Sequence, residues 1–520
     1  MARLADGSRV VVVGAGPSGG FFACMLLDRC RQAGIAVDLT LLDRKDFGMP
    51  GRAGCSMCAG ALSDSLLKAM GEIGLHLPEA VVQRKIHGYR FETAVAGLDL
   101  DAPEGTTIYT AFRGRAPGTA SYPLVPLRGT LPLPRREGET APHPPAPLSA
   151  GGEGETETTN DERHGNWLRG LPAHAGLQGD EMGFDEFLLG EAMARGAKHL
   201  AVAVTGIARD STGEAKWVLQ CQGRHGAASE EVWADLLVIA CGVHGSLLSV
   251  VEKLGVGYMA PRLAKSCQAE IALDPEFITE RFEDRIHVFF PGDPDIEFVA
   301  ATPKKRHVTI TMVGAAAERG HLTQMLAGTM PVTHATRGRP AKTLRDYMPA
   351  DWHPAGRYCQ CLPMIPVSIA RHPCADGLVV VGDACAQRYL KNGLYSALLT
   401  AQMAARAIAE HGTSASALRR HFGGPCRRMY VLDNLCGRII FRWNRLVTKI
   451  PFLARAHFRV AWEEQHLRPD ERHVVTRILW NIFTGNVRYI EILMDTICPA
   501  AVWAIAKGTM GEMWDRVRGR

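Results

Sequence analysis

The sequence predicts a doubly wound α/β fold that carries an inserted β-rich domain and ends in a helical region, and three observations carry the prediction. The valine-rich run Arg9 to Val13 breaks into Gly14-Ala15-Gly16-Pro17-Ser18-Gly19-Gly20 and is followed by the apolar, helix-like stretch Phe21 to Leu27. Far along the chain a second buried-type strand, Leu378 to Val381, breaks into Gly382 and Asp383 and leads to a long helical pattern at Leu394 to Ala409. Between them, strands alternate with polar turns, while beyond Gly412 strand signals nearly vanish.

Taken in order, the strand, glycine turn and helix are completed by a second strand, Ala36 to Leu42. It stops at Asp43, about 20 residues beyond the turn, where a Rossmann-like βαβ unit places the acid that meets a ribose. From about Arg128 to His164 the composition changes to Pro, Gly, Glu and Thr, with almost no large apolar side chain to bury. This predicts a disordered, protease-sensitive insertion. A helical pattern resumes at Phe184 to Ala194, and strands are expected at Leu200 to Ile207 and Ala234 to Ala240. A sheet of Ile286 to Phe290, Glu297 to Ala301 and Val308 to Val313 follows.

At 520 residues, 46% of them hydrophobic, the chain can bury a large core and is too long for one compact domain. A formal charge of +5 is small for that length, and no basic tract interleaved with aromatics occurs, so nucleic acid is not an expected partner. Met1 to Val10 lacks the charged start, apolar run and cleavage site of a secretory leader, which with the scattered cysteines suggests a cytoplasmic protein with free thiols. No apolar stretch reaches the roughly 20 residues of a spanning helix, so any membrane contact should be peripheral.

The glycines share a physical logic. Gly14 permits the tight turn, Gly16 lets the backbone approach a pyrophosphate, and Gly19 allows the helix to pack closely on the strand. With Pro17 and Ser18 they open a helix whose free N–H groups and dipole favour an anion. Asp43, with Arg44 beside it, completes the nucleotide end. Two further segments argue for FAD. Asp235 to Gly245 is a buried strand that breaks at Gly242, and Gly377 to Gly393 contains Gly382, Asp383, Asn392 and Gly393. FAD is long, so a distant strand must supply a carboxylate for its ribitol hydroxyls. A helix N-terminus must also lie near the isoalloxazine O2, where negative charge collects on reduction. Asp383 and the Asn392-Gly393 backbone suit those tasks; an ordinary strand-end Asp and helix cap are the plain alternative.

The order of these segments resembles the flavoprotein group that includes aromatic hydroxylases, and more closely the geranylgeranyl reductase family, over roughly residues 8–127 and 180–410. Gly51-Arg52-Ala-Gly-Cys55-Ser-Met-Cys58-Ala59-Gly60 resembles that family's Cys-Gly-Gly segment beside the flavin. The resemblance implies cofactor contact at Arg52 and roles at the reaction for Cys58 and Gly60. Phe112-Arg113-Gly114, followed across the insertion by Phe184-Asp185, resembles the family's arginine near the cofactor. Cys361-Leu-Pro363-Met-Ile-Pro366 also resembles the family. Where reductases carry Tyr-x-Trp before a Pro, this chain has Phe298-Val-Ala-Ala-Thr-Pro303, which implies a substrate of different shape. The resulting division is an FAD-binding domain at 1–85, 166–256 and 357–412, with substrate-domain parts at 86–127 and 257–356. The insertion occupies 128–165, and the helical region 413–520.

Cys55 and Cys58, with Cys359 and Cys361, admit a zinc or disulfide reading. Flavin-side packing or shaping of a re-protonation pocket fits better, and no metal is expected. His244 stands in the glycine turn after the third strand, as a solvated loop residue or a neighbour of the cofactor. No paired carboxylates or Ser-His-Asp set stands out, as expected where a cofactor carries the hydride. In the tail, Arg438, Arg442, Arg445 and Lys449 share one side of a helix and Ile439, Trp443, Leu446 and Ile450 another. No acid occurs over residues 437–462. The segment either meets an anionic lipid surface or packs on the body with a solvated basic edge.

The resemblance implies reduction of a carbon-carbon double bond in a hydrophobic isoprenoid-type substrate. NADPH or a ferredoxin-like protein would supply electrons; no second dinucleotide turn is visible to choose between them. The rivals are an FAD-dependent monooxygenase hydroxylating a hydrophobic substrate and a non-catalytic flavin-bearing protein that binds lipid or a partner.

Overall fold

Val10 to Val13 lie in the middle of a six-stranded sheet and are buried on both faces, which is why the run is continuous rather than alternating. In the computed structural model, residues 3–49, 59–115, 182–223, 229–243, 245–291, 293–329, 342–353, 359–466 and 473–517 are described. The sheet runs Cys374–Ala375, Leu378–Val380, Leu236–Ile239, Arg9–Val13, Asp38–Leu42, Lys198–Leu200. Every neighbouring pair is parallel except the first, a short antiparallel edge. The carboxyl ends of Arg9–Val13, Asp38–Leu42, Leu236–Ile239 and Leu378–Val380 therefore share one edge. Arg9–Val13 is the switch point, with its chain neighbour on one side and strands from far down the sequence on the other. Helices Pro17–Gln32, Phe184–Ala194 and Gly393–His411 cover the sheet in one core.

A second sheet of eight strands is built mainly from 263–314, with Gly88–Glu92 and Gly97–Asp101 added at one edge and Cys359–Cys361 at the other. Its pairs are antiparallel except Arg285–Phe289 against Gly88–Glu92. Successive side chains serve two cores. Ile286, Val288 and Phe298 face the C-terminal helices, where Ile440, Phe458, Ile478 and Phe483 meet them. Phe289, Val299 and Ala301 face helices Pro275–Phe282 and Arg319–Ala327. This is the period of two expected of strands.

Several expectations shift in detail. The strand expected at Leu200 to Ile207 is two strands: Lys198–Leu200 joins the parallel sheet, and Val202–Arg209 begins a separate antiparallel meander with Trp217–Gly223 and Ser229–Ala234. Ala234 to Ala240 likewise divides, because Ala234 ends the meander and Leu236–Ile239 is the sheet strand. Apolar residues continue through Leu200-Ala201-Val202, and the single residue Asp235 separates Ala234 from Leu236, so periodicity could not mark the change of sheet. Asp64 and Asp101 pair with Lys68 at 2.7 Å and Arg285 at 2.5 Å.

The C-terminal helices are Gly424–Lys449, Pro451–Gln465, Val474–Thr484, Tyr489–Thr496 and Pro499–Val517. Pro451 follows the end of one helix and opens the next as its first residue, where a missing N–H costs nothing. Arg438 donates to the Val367 carbonyl at 2.7 Å and Arg445 pairs with Glu297, so two of the four basic residues in the tail hold the body of the protein. Ile439, Trp443 and Leu446 remain exposed. Among the described residues no single helix is long and apolar enough to cross a membrane. Tyr489–Thr496 and Pro499–Trp514 reach that length and composition only together, bent by 57°.

Candidate functional site

The carboxyl edge of the parallel sheet opens into a cavity of about 1020 Å³ that continues to the face of the eight-stranded sheet. Its first end is the glycine turn. Gly14 takes φ +105°, and a Cβ there would stand 2.5 Å from the Ala240 carbonyl oxygen, so the turn closes only without a side chain. Gly19 packs against the Gly14 carbonyl oxygen, the close helix-on-strand approach expected of it. Gly16 is the N-cap of helix Pro17–Gln32. No side chain caps it, and no acid lies in the first turn, so its N–H groups face the cavity ready for an anion. Asp43 accepts from Ala15 N–H at 2.9 Å and Lys45 N–H at 2.9 Å, which holds it beside the turn with Arg44 also lining the cavity.

The distant Gly-Asp segment comes to the same place. Gly382 takes φ +66°, and a Cβ there would lie 2.0 Å from Ser18 Oγ, so the two motifs touch. Thr400 Oγ1 accepts from the Gly382 N–H at 2.9 Å and anchors the turn to helix Gly393–His411. Asp383 is thereby set in the wall of the cavity, where burial raises its carboxyl to about 6 despite the opposing pull of Arg113. Arg113 forms a two-point ion pair with Asp185, at 2.9 and 2.8 Å. It also stands close to Gly16. The backbone pairs Phe184 N–H with Phe112 O and Asp185 N–H with Arg113 O, so the residues divided by the insertion are neighbours in space.

Asn392 donates to the Gly485 carbonyl at 3.1 Å and Ser65 Oγ at 3.3 Å. That leaves the Gly393 end of its helix open to the cavity, without a side-chain cap or an acid in the first turn. Gly60 lines the cavity and packs against the Ala111 carbonyl, while Gly242 closes the neighbouring strand. Arg52, Cys55, Cys58 and His244 lie outside the described residues, as does the insertion at 128–165. The pattern therefore brings together Gly14, Gly16, Pro17, Ser18, Asp43, Arg44, Arg113, Gly242, Asp383, Asn392 and Gly393, with Gly19 and Gly382 as the packing glycines behind them.

The far end of the cavity is apolar. Tyr89, Val288, Phe298, Ala300 and Val313 of the eight-stranded sheet face Leu390 and Phe483 across it, with Gln268 and Thr311 as neutral polar groups. Phe483 and Thr484, from the C-terminal helices, and Lys391 were not singled out from the sequence. Phe483 sits among apolar residues at ordinary helical spacing, and no local signal distinguishes a wall residue from a core one. Among the described residues no cluster of three or more His, Cys, Asp or Glu could hold a metal. In chemical terms the cavity offers two helix N-termini and two carboxylates, and at its far end a largely apolar, partly aromatic wall.

No protein-family model and no curated protein matches the chain. Its fold is shared with solved structures at low sequence identity. A geranylgeranyl bacteriochlorophyll reductase-like protein from Thermoplasma acidophilum aligns with TM-score 0.55 and 13% identity over 97% of this chain and 98% of its own. The p-nitrophenol 4-monooxygenase from Pseudomonas putida aligns with TM-score 0.53 and 12% identity over 95% and 98%. A flavoprotein/dehydrogenase from Cytophaga hutchinsonii aligns with TM-score 0.51 and 13% identity over 92% and 93%.

Proposed function

We propose that this chain is an FAD-dependent oxidoreductase that reduces a carbon-carbon double bond in a hydrophobic, isoprenoid-type substrate. The observation that carries the reading is the contact of Gly382 with Ser18, which joins two motifs far apart in sequence into one elongated cavity leading to an apolar chamber. A mononucleotide would need only the first motif. The reductase-like structure with the same fold supports the choice of reaction.

The residues present fit the cofactor. The N-terminus of helix Pro17–Gln32, with Gly14 and Gly16, would receive the pyrophosphate, and Asp43 the adenosine ribose. Asp383 would accept from the ribitol hydroxyls, and the Gly393 helix end would face the ring's electron-rich edge. When bound, FAD supplies hydride transfer. The chain's own part is to exclude water with Phe298, Phe483 and Leu390, to keep Asp383 in place through Gly382 and Thr400, and to hold Arg113 through Asp185. NADPH or a ferredoxin-like protein would deliver the electrons, and Cys58 would shape the protonation side of the site.

A second reading, monooxygenation of a hydrophobic substrate, is favoured by a likeness of similar extent to the p-nitrophenol 4-monooxygenase. A flavin-bearing binding protein is the third. The purified protein should be yellow and release FAD, not FMN, and Gly16→Val should lose it. Anaerobic incubation with NADPH or reduced ferredoxin and a panel of prenyl quinones, polyprenols and sterol-like lipids should yield a saturated product. Oxygen uptake matched to a hydroxylated product would replace this reading with the monooxygenase. Flavin reduction without product under either atmosphere would leave the binding protein.

A further inference from the structure

We infer that Lys391 makes the far end of the cavity a receptor for one carboxylate or phenolate group carried on an otherwise apolar substrate. The inference rests on reading that end as the substrate chamber. Lys391 lines the cavity between Leu390 and Asn392, and its Nζ stands 4.3 Å from the centre of the Phe298 ring and 4.8 Å from that of Phe483. The two rings meet edge-on across a 6.4 Å separation, so the ammonium lies where a substrate in the chamber would reach it.

Three other enclosed cations of this protein have acidic partners. Lys304, fully buried, pairs with Glu270 at 3.0 Å. Arg388 pairs with Asp433 at 3.1 Å, and Arg113 with Asp185 at 2.8 Å. Lys391 forms no ion pair with any carboxylate among the described residues, and only aromatic faces meet its charge. A cation withdrawn from water without an anion is costly, and cation–π contact offsets only part of that cost. The missing partner is what an anionic ligand would supply.

The backbone has also been bent to aim this side chain. Leu390 takes φ 57° and Asn392 φ 55°, so left-handed residues stand on both sides of Lys391. Asparagine tolerates that region, whereas leucine does so only under constraint. The constraint is visible just upstream, where Arg388 donates to the Gly485 carbonyl at 2.6 Å and to Asp433, tying the segment to the C-terminal helices that provide Phe483. Burial lowers the Lys391 ammonium to about 7, so near neutrality the group exchanges its proton readily and an arriving anion would hold it charged.

The test uses the purified full-length protein and two probes of equal shape, 2-naphthoate and 2-naphthamide, followed by naphthalene fluorescence. The carboxylate should bind at least about tenfold more tightly than the amide at pH 6.5, and Lys391→Met should abolish the preference while Lys391→Arg keeps it. In the wild-type protein the affinity for naphthoate should fall as pH rises above about 7, where the free lysine loses its proton, while that for the amide stays level. Equal affinities, a preference that survives Lys391→Met, or no saturable binding of naphthoate would each overturn the inference. Flavin content is measured on the same samples. A colourless protein that still prefers naphthoate upholds the lysine site and sinks the flavin reading, whereas a yellow one without the preference does the reverse.

Discussion

Asp383 shows how a single residue reports on its site. Burial raises its carboxyl from 3.8 to about 6, so the folded protein holds this proton more tightly than the unfolded chain does. By linkage, the stability from that proton is full below about 3.8 and is lost as pH rises through about 6. Above that, the ligand-free protein carries a poorly solvated charge that hydroxyl donors of a cofactor would relieve. Asp383→Asn should therefore raise the unfolding temperature of the flavin-free protein at pH 7.5, by an amount equivalent to roughly 1–3 kcal/mol, and leave it unchanged near pH 4. The same variant should lose flavin affinity. A gain that is independent of pH, read by calorimetry, would show that the charge is already compensated by protein groups. The residue's type and place after a glycine were legible in the sequence; its altered proton affinity was not, since that depends on walls contributed by other segments.

Among elements, the junction of Phe112–Gly114 with Gly183–Asp185 has the clearest consequence. A Cβ on Gly183 would stand 2.6 Å from the Arg113 carbonyl oxygen, and Arg115 pairs with Glu186 at 2.8 Å. The two ends of the intervening chain are thus held side by side by described residues alone. Replacing residues 128–165 by a short Gly-Ser linker should leave flavin content and melting temperature nearly unchanged, because the cost of closing a loop depends only weakly on its length. Insoluble protein after this replacement would mean that the segment helps to build the fold. The helices Phe184–Ala194 and Gly393–His411 were legible from periodicity almost to the residue. The division of Lys198–Arg209 between two sheets was not, because the run Leu200-Ala201-Val202 carries no turn residue where the sheet changes.

At the scale of the whole molecule, helix Gly424–Lys449 turns outward a stripe of Leu435, Ile439, Trp443 and Leu446. Its only carboxylate, Asp433, is buried against Arg388. An outward face of apolar and basic residues suits an anionic lipid surface, and we propose that residues 437–462 make peripheral contact there. Arg438 and Arg445 are engaged with the body, so the charge available to lipid on this helix falls to Arg442 and Lys449. Phosphatidylserine vesicles should bind the protein at low salt and release it as salt rises. Arg442→Glu should weaken partitioning roughly thirtyfold, since it changes the charge by two units and each charge near such a surface is worth about 1 kcal/mol. Binding that ignores salt, or its absence, would assign the stripe to another role.

The sequence by itself determined the parallel sheet, the glycine turn, the Gly-Asp strand and the helical tail. Each is written in local periodicity and in glycines that only certain backbone shapes require. What the tertiary structure decided is how these meet: Gly382 against Ser18, Arg113 beside Asp185 across the insertion, and the tail's Phe483 over a sheet strand to enclose Lys391. The reason is physical. Local pattern records which face of an element is buried, but a cavity is made where faces from distant segments fail to fill the space between them, and no segment carries that information alone.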